Sequence, residues 1–183
     1  MKQREVEDEP LTSRQHIVRL RARIRARPEG LADLHEAFER FFAQAEDQDS
    51  GVPTEDRVAI VTAAGELAAN IIEHACKDMP EAEMSLVLRG HHDRIEVGFE
   101  DPGDAYTPPP MSDAEIELLP LGGMGMGLIH ASVDELEYVR VRGTNQWRLV
   151  RKTGDPARTP RRTTFLGSSR CSRPSRRGAR SGS

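Results

Sequence analysis

Aromatic residues are scarce, with one Trp, two Tyr and five Phe in 183 residues. A core built from this chain must therefore be mainly aliphatic. Cysteine is scarcer still. Cys76 and Cys171 stand far apart, which argues against a disulfide framework and against a zinc site. No run of apolar residues approaches the 18 or so of a transmembrane helix. The first ten residues, MKQREVEDEP, lack the apolar stretch of a signal peptide. The expectation is a soluble, cytoplasmic, single-domain protein with no membrane partner.

Charge is present in both signs but unevenly placed. The formal net charge is −4. Residues 151–183 carry ten Lys/Arg against one Asp, a net +9, which leaves −13 on residues 1–150. Residues 1–13 are polar, and residues 153–183 are Arg, Ser, Pro and Gly with almost no apolar side chains. Both ends are expected to be disordered, leaving one domain over residues 14–152. The basic tail attracts polyanions but offers only Phe165 for base stacking, so direct nucleic-acid binding is not expected.

Periodicity organises the middle. Residues 16–27 alternate, with Val18, Leu20, Ala22, Ile24 and Ala26 on one side and Arg19, Arg21, Arg23, Arg25 and Arg27 on the other. That is a half-buried strand. Its arginine face, Arg19, Arg21 and Arg23 above all, either meets an acidic partner or is a solvated face that discourages edge pairing. Leu31, Leu34, Phe38, Phe41 and Ala45 then repeat at helical spacing. A second helix should open near Pro53, with Thr54 as N-cap, and run to about Cys76. Strands follow around Met84, Leu86 and Leu88 and around Ile95, Val97 and Phe99, joined by a turn that exposes His91 and His92. Pro108, Pro109 and Pro110 give a stiff connection, and Ser112 with Glu115 forms a capping box opening a short helix. A glycine-rich loop over residues 121–127 leads into a helix at 128–133, and a last hairpin turns across residues 143–145. The class is α+β: a two-layer sandwich of a mixed, mostly antiparallel sheet with helices on one face.

Three pieces can carry chemistry. Glu66, Asn70 and His74 lie at i, i+4 and i+8, which aligns a carboxylate, an amide and an imidazole on one helix face. Such a stripe is either a polar helix border or one wall of an ion or nucleotide site. Asp101, followed by Pro102 and Gly103, puts a carboxylate at a strand end, where it can accept a hydrogen bond from an exocyclic amine. Gly122, Gly123, Gly125 and Gly127 let backbone N–H groups approach phosphate, and the helix that follows adds its dipole. No Lys-Ser/Thr pair follows the loop, so it is not a Walker loop.

Taken together, Glu66 and Asn70, then Asp101 and Gly103, then Gly123, Gly125 and Gly127, in that order, resemble the three boxes of the GHKL (histidine kinase-like) ATPase superfamily. The run from Glu66 through Asn70 to His74 and Ala75 is similar to that of the anti-sigma factor serine/threonine kinases. So is the stretch from Gly125 and Leu128 to Tyr138. The resemblance covers about residues 14–152. It implies ATP and Mg²⁺ as cofactors, with Asn70 holding the Mg²⁺ and Glu66 near the general base. It implies Asp101 as the adenine-reading carboxylate with Gly103 as the turn beneath it. Gly123, Met124, Gly125, Met126, Gly127 and Leu128 would form the phosphate-facing loop, and residues 104–122 the lid. His74 either supports the pocket or packs as a structural histidine. The implied partners are a sigma factor, an anti-anti-sigma protein of the STAS type phosphorylated on Ser or Thr, and a second copy of the chain. Several relatives carry an Arg in the glycine loop, whereas here the nearest Arg is Arg140. That departure keeps open a nucleotide-binding partner switch without kinase activity.

Overall fold

Strand-forming alternation and helical spacing are realised where the sequence places them. The computed structural model describes residues 18–48, 51–107, 125–153 and 162–166. The elements in chain order are β1 (Val18–Arg25), α1 (Gly30–Glu46), α2 (Thr54–Asn70), a π-helical turn (Ile71–Ala75), β2 (Glu83–Gly90), β3 (Arg94–Asp101), α3 (Gly125–Ser132), β4 (Glu135–Val141), β5 (Thr144–Lys152) and β6 (Arg162–Leu166). The sheet runs β1-β2-β3-β5-β4-β6. Every neighbouring pair is antiparallel except β4 with β6, which is parallel. The expected α+β class with a mixed, mostly antiparallel sheet is what forms.

Register explains the core. Leu20, Leu88, Val97, Leu149 and Leu136 face one another across five strands, as do Ala22, Leu86, Phe99, Trp147 and Tyr138. Opposed residues of an antiparallel sheet share a face. Against this face α1 buries Leu34, Phe38 and Phe41, and α2 buries Ile60, Ala63, Ala64, Leu67 and Ala68. The outer face carries Arg19, Arg21, Arg23, Arg89, Glu96, Glu137 and Arg148. The helix spanning Thr54–Ala75 is long and apolar enough to cross a membrane by length and composition alone. Ile60, Leu67, Ile71 and Ile72 are instead buried in this core, while Val58 is exposed.

Several local expectations are corrected. Thr54 is not the N-cap. Pro53 holds that position, and its carbonyl accepts the N–H groups of Asp56 and Arg57. The long helix widens at its end, where Cys76 N–H bonds Ile71 O in an i→i−5 pattern. The last hairpin turns on Arg142 and Gly143, both at positive φ (50° and 85°), so Thr144 and Asn145 belong to β5. This is the primed geometry whose twist matches the flanking strands. His92 is exposed, but the His91 side chain is buried, 3.6 Å from Glu96. Residues 162–166, expected within a disordered tail, form β6. Thr163, Thr164, Phe165 and Leu166 are a run of strand-favouring residues inside the Arg/Ser/Pro/Gly background. The Pro108–Pro110 connection, the capping box at Ser112, and the loop residues Gly122, Gly123 and Met124 lie outside the described residues.

Candidate functional site

A cavity of about 780 Å³ opens between the end of α2, the segment leaving β3, the start of α3 and β5. That volume suits a small-molecule site. Helix α2 and the π-helical turn supply Glu66, Asn70 and His74 to one wall. Asp104 and Tyr106 come from the segment after β3, Gly125 and Met126 from α3, and Asn145 and Trp147 from β5.

Glu66 and Asn70 meet the start of α3. A methyl group built on Gly125 would sit 3.0 Å from Asn70 Nδ2 and 3.4 Å from Glu66 Oε2. Glycine therefore lets the N-terminus of α3 approach both side chains. Asn70 Nδ2 is buried and makes no hydrogen bond. Both residues sit one helical turn apart because their spacing is four, and a third turn brings an exposed His74 to the same wall.

Asp101 ends β3 and is 1% exposed. Its Oδ1 accepts the N–H of Gly103 at 3.0 Å and the amide of Asn145 at 2.8 Å. Its Oδ2 is buried with no hydrogen-bond partner, and so is Trp147 Nε1. Burial pushes the Asp101 carboxyl above its ordinary range. Asn145 and Gly103, donating to it, and the nearby Arg140 charge oppose that shift. The Trp147 indole is close enough to favour the ionised form without reaching hydrogen-bonding geometry. Gly103 is required by sterics, since a side chain there would collide with the Ala75 carbonyl. Asp104 N–H bonds that same carbonyl at 2.8 Å, fixing the strand end against the π-helical turn.

Asn145 is the hub of this end. It faces Asp101 in the β3–β5 register and donates to Asp101 Oδ1 and to Asp104 O, each at 2.8 Å. Its own Oδ1 accepts from Tyr138 Oη at 2.9 Å and Arg140 Nη1 at 2.6 Å. Tyr106, Tyr138 and Trp147 cluster beside it, with ring centroids 5.6, 5.1 and 4.4 Å apart. Sequence reasoning placed Asn145 in a turn and assigned no role to this cluster. The available signal was compositional, because the cluster gathers the one Trp and both Tyr of the chain.

Of the residues singled out in the sequence, Glu66, Asn70, His74, Gly125 and Met126 line the cavity. Asp101 and Gly103 lie behind its wall, and Gly127 and Leu128 sit further along α3, outside the lining. Gly123 and Met124 are outside the described residues. Arg19, Arg21 and Arg23 are on the opposite face of the sheet. Arg140 is bound to Gly103 O at 2.8 Å and to Asn145, away from Gly125. Among the described residues no Lys or Arg lines the cavity.

The sequence pattern of the histidine kinase-like ATPase domain matches residues 24–151. The crystal structure of the RsbU and RsbW domains of Rv1364c from Mycobacterium tuberculosis is similar in fold, with a TM-score of 0.52 at 16% identity. The match covers 80% of this chain and 34% of that one. No curated protein matches the chain.

Proposed function

Because the chain belongs to the family of histidine kinase-like ATPase domains, we propose that it binds Mg²⁺·ATP in this cavity. We further propose that it acts as an anti-sigma factor serine/threonine kinase, sequestering a sigma factor and phosphorylating a STAS-type anti-anti-sigma protein. The observation that carries the reading is Asn70 Nδ2, a buried polar atom without a hydrogen-bond partner, on a residue that lines the cavity beside Gly125. Unpartnered buried polar groups are uncommon, and one at the edge of a cavity points to a polar ligand.

The donor set fits the cation. The Asn70 carbonyl and the Glu66 carboxylate are hard oxygen donors of the kind Mg²⁺ takes. Among the described residues no group of three His, Cys, Asp or Glu could hold a metal alone. A cation here would be shared with substrate phosphates, as Mg²⁺ commonly is. When bound, Mg²⁺ neutralises charge on the phosphate oxygens. Asn70 orients that end of the site, and the start of α3 presents free N–H groups to anionic oxygens. Glu66 stands one turn away, placed to accept the proton of an attacking Ser or Thr hydroxyl. Asp101 Oδ2 offers an acceptor to the adenine amine.

One observation favours a second reading. With no Lys or Arg on the described lining and Arg140 held at Gly103 and Asn145, no side-chain cation there meets the γ-phosphate. On that reading the protein is a nucleotide-dependent partner switch without phosphoryl transfer. Transfer of label from γ-labelled ATP to a cognate STAS protein separates the two. The kinase reading expects label on Ser or Thr, reduced about 10²–10⁴-fold in Glu66→Ala with ATP affinity kept. It also expects Asn70→Ala to abolish the Mg²⁺-dependent part of ATP binding. Tight ATP binding with no transfer would establish the switch.

A further inference from the structure

The sheet has two edges, and the chain treats them differently. Strand β1 forms one edge and carries exposed Arg19, Arg21, Arg23 and Arg25. A row of charge discourages pairing with further strands. Strand β4, near the other edge, has no such row. Its Glu135 and Glu137 are neutralised by Arg148, and Tyr138, Val139 and Val141 favour a strand. Here β6 lies outside β4 and closes the sheet.

Strand β6 differs from its neighbours. It has five residues, whereas the other strands have seven to nine. Among the described residues it makes the one parallel pair, a pairing slightly less stable per residue than the antiparallel kind. It lies beyond residues 24–151, the span that matches the family pattern. Its tether is also long. Val150 and Arg162 both pair with Glu135, so β5 ends and β6 begins at the same end of the sheet. Only β4 separates them, a gap of about 10 Å. Residues 154–161 can span up to about 30 Å. The strand is short, weakly paired and able to leave without pulling on the sheet.

The strand it leans on reaches the cavity. Phe165 and Leu166 hold the register positions opposite Tyr138 and Val139. Tyr138 Oη donates to Asn145 Oδ1 and accepts the Tyr106 N–H, each at 2.9 Å. Asn145 and Tyr106 line the cavity. The Tyr138 ring lies 4.4 Å from the Trp147 ring, which lines it too.

We propose that the outer edge of β4 is a docking site for an extended segment in parallel register. Its resident occupant is residues 162–166 of the same chain, a detachable strand. Docked, the strand steadies β4 and, through Tyr138, the Asn145 end of the cavity. Released, it leaves an open edge that takes another segment in its place.

Hydrogen exchange on the full chain tests this, with a variant carrying Thr163→Pro and Thr164→Pro. Successive N–H groups of a strand point to opposite edges, so one of these two faces β4, and proline removes it. The β4 amides that point away from β5 should exchange about tenfold faster or more in the variant, the scale of one lost hydrogen bond. A peptide of residues 160–168 should bind the variant, restore that protection and reverse a change in Trp147 emission, whereas a scrambled peptide should not. Equal exchange of those amides in both proteins would overturn the proposal, as would a peptide that leaves the variant unprotected. Protection found only in a dimer, by sedimentation, would overturn the same-chain assignment in favour of a strand exchanged between copies. The unmodified chain decides alone if the variant loses protection in β2 and β3 as well. Its outward β4 amides should exchange more slowly than the outward amides of β1, and equal rates would sink the idea.

Discussion

Asp101 shows what burial costs a single carboxyl group. Burial raises its pKa, and the bonds from Asn145 and Gly103 only partly oppose the rise. Relative to the unfolded chain, the folded state thus favours the protonated carboxyl. The stability this adds is present below the ordinary aspartate value of 3.8 and is lost as pH rises through the higher folded value. At neutral pH the ionised, half-partnered carboxylate destabilises the fold. Asp101→Asn is expected to raise the thermal unfolding midpoint at pH 7 by about 2–4 °C. The gain should shrink as pH falls toward 4, and nucleotide affinity should drop, a trade of function for stability. Melting curves between pH 4 and pH 8, together with a binding titration, check all three outcomes. Cys76 illustrates the opposite case. Burial first, and then the Asp101 charge, push its thiol up to about 11, so it remains a protonated, packed side chain with no role at the site.

Elements are locked together by a few long-range ties, and these were the least legible features of the sequence. Asp56 in the first turn of α2 is paired with Arg151 of β5 at 2.8 Å, both almost wholly buried. Arg151 also donates to Ser132 O at the end of α3. One guanidinium thereby fastens the helix bearing Glu66 and Asn70, the strand bearing Asn145 and Trp147, and the helix beginning at Gly125. Asp56→Ala strands that charge and should cost about 3–5 kcal/mol in urea unfolding, whereas Asp56→Ala with Arg151→Met should recover most of the loss. Alternation at Met84, Leu86 and Leu88 and at Ile95, Val97 and Phe99 disclosed both central strands. Helical spacing disclosed α1 and α2, and the Glu66–Asn70 pattern singled out two residues that the fold brings to the cavity wall. Asn145 was hidden because the turn depends on Arg142 adopting positive φ, for which a non-glycine residue gives no sequence signal. Trp147 was hidden because its approach to Asp101 depends on a pairing between residues more than forty positions apart. The π-helical turn was hidden because its hydrogen-bond shift leaves the apolar period of the helix almost unchanged.

On the scale of the whole molecule, the two faces of the sheet divide the work. The inner face builds the core and the cavity. On the outer face the β3-β5-β4 half neutralises itself, with Arg148 bridging Glu96, Glu135 and Glu137 and Arg94 bound to Glu96. The β1 edge differs. Arg19 and Arg21 make no ion pair among the described residues, and Arg19 has its pKa lowered, first by the Arg21 charge and then by partial desolvation and by Arg89. Such an unneutralised edge suits an acidic partner surface. Replacing Arg21 and Arg23 by Glu should leave stability within about 0.5 kcal/mol, since both are exposed. It should also weaken partner capture about tenfold or more and flatten its salt dependence. Capture unchanged between low and high salt would move the interface elsewhere. The cavity wall has a consequence of another kind. Its indole is the only one in the chain, so tryptophan fluorescence, excited selectively over the two tyrosines, arises from a single emitter at the cavity wall. One optical signal therefore gauges both occupancy and unfolding. In a titration it is a label-free probe of binding. In a melt with ligand present it mixes the two events, and circular dichroism of the backbone is the channel that separates them.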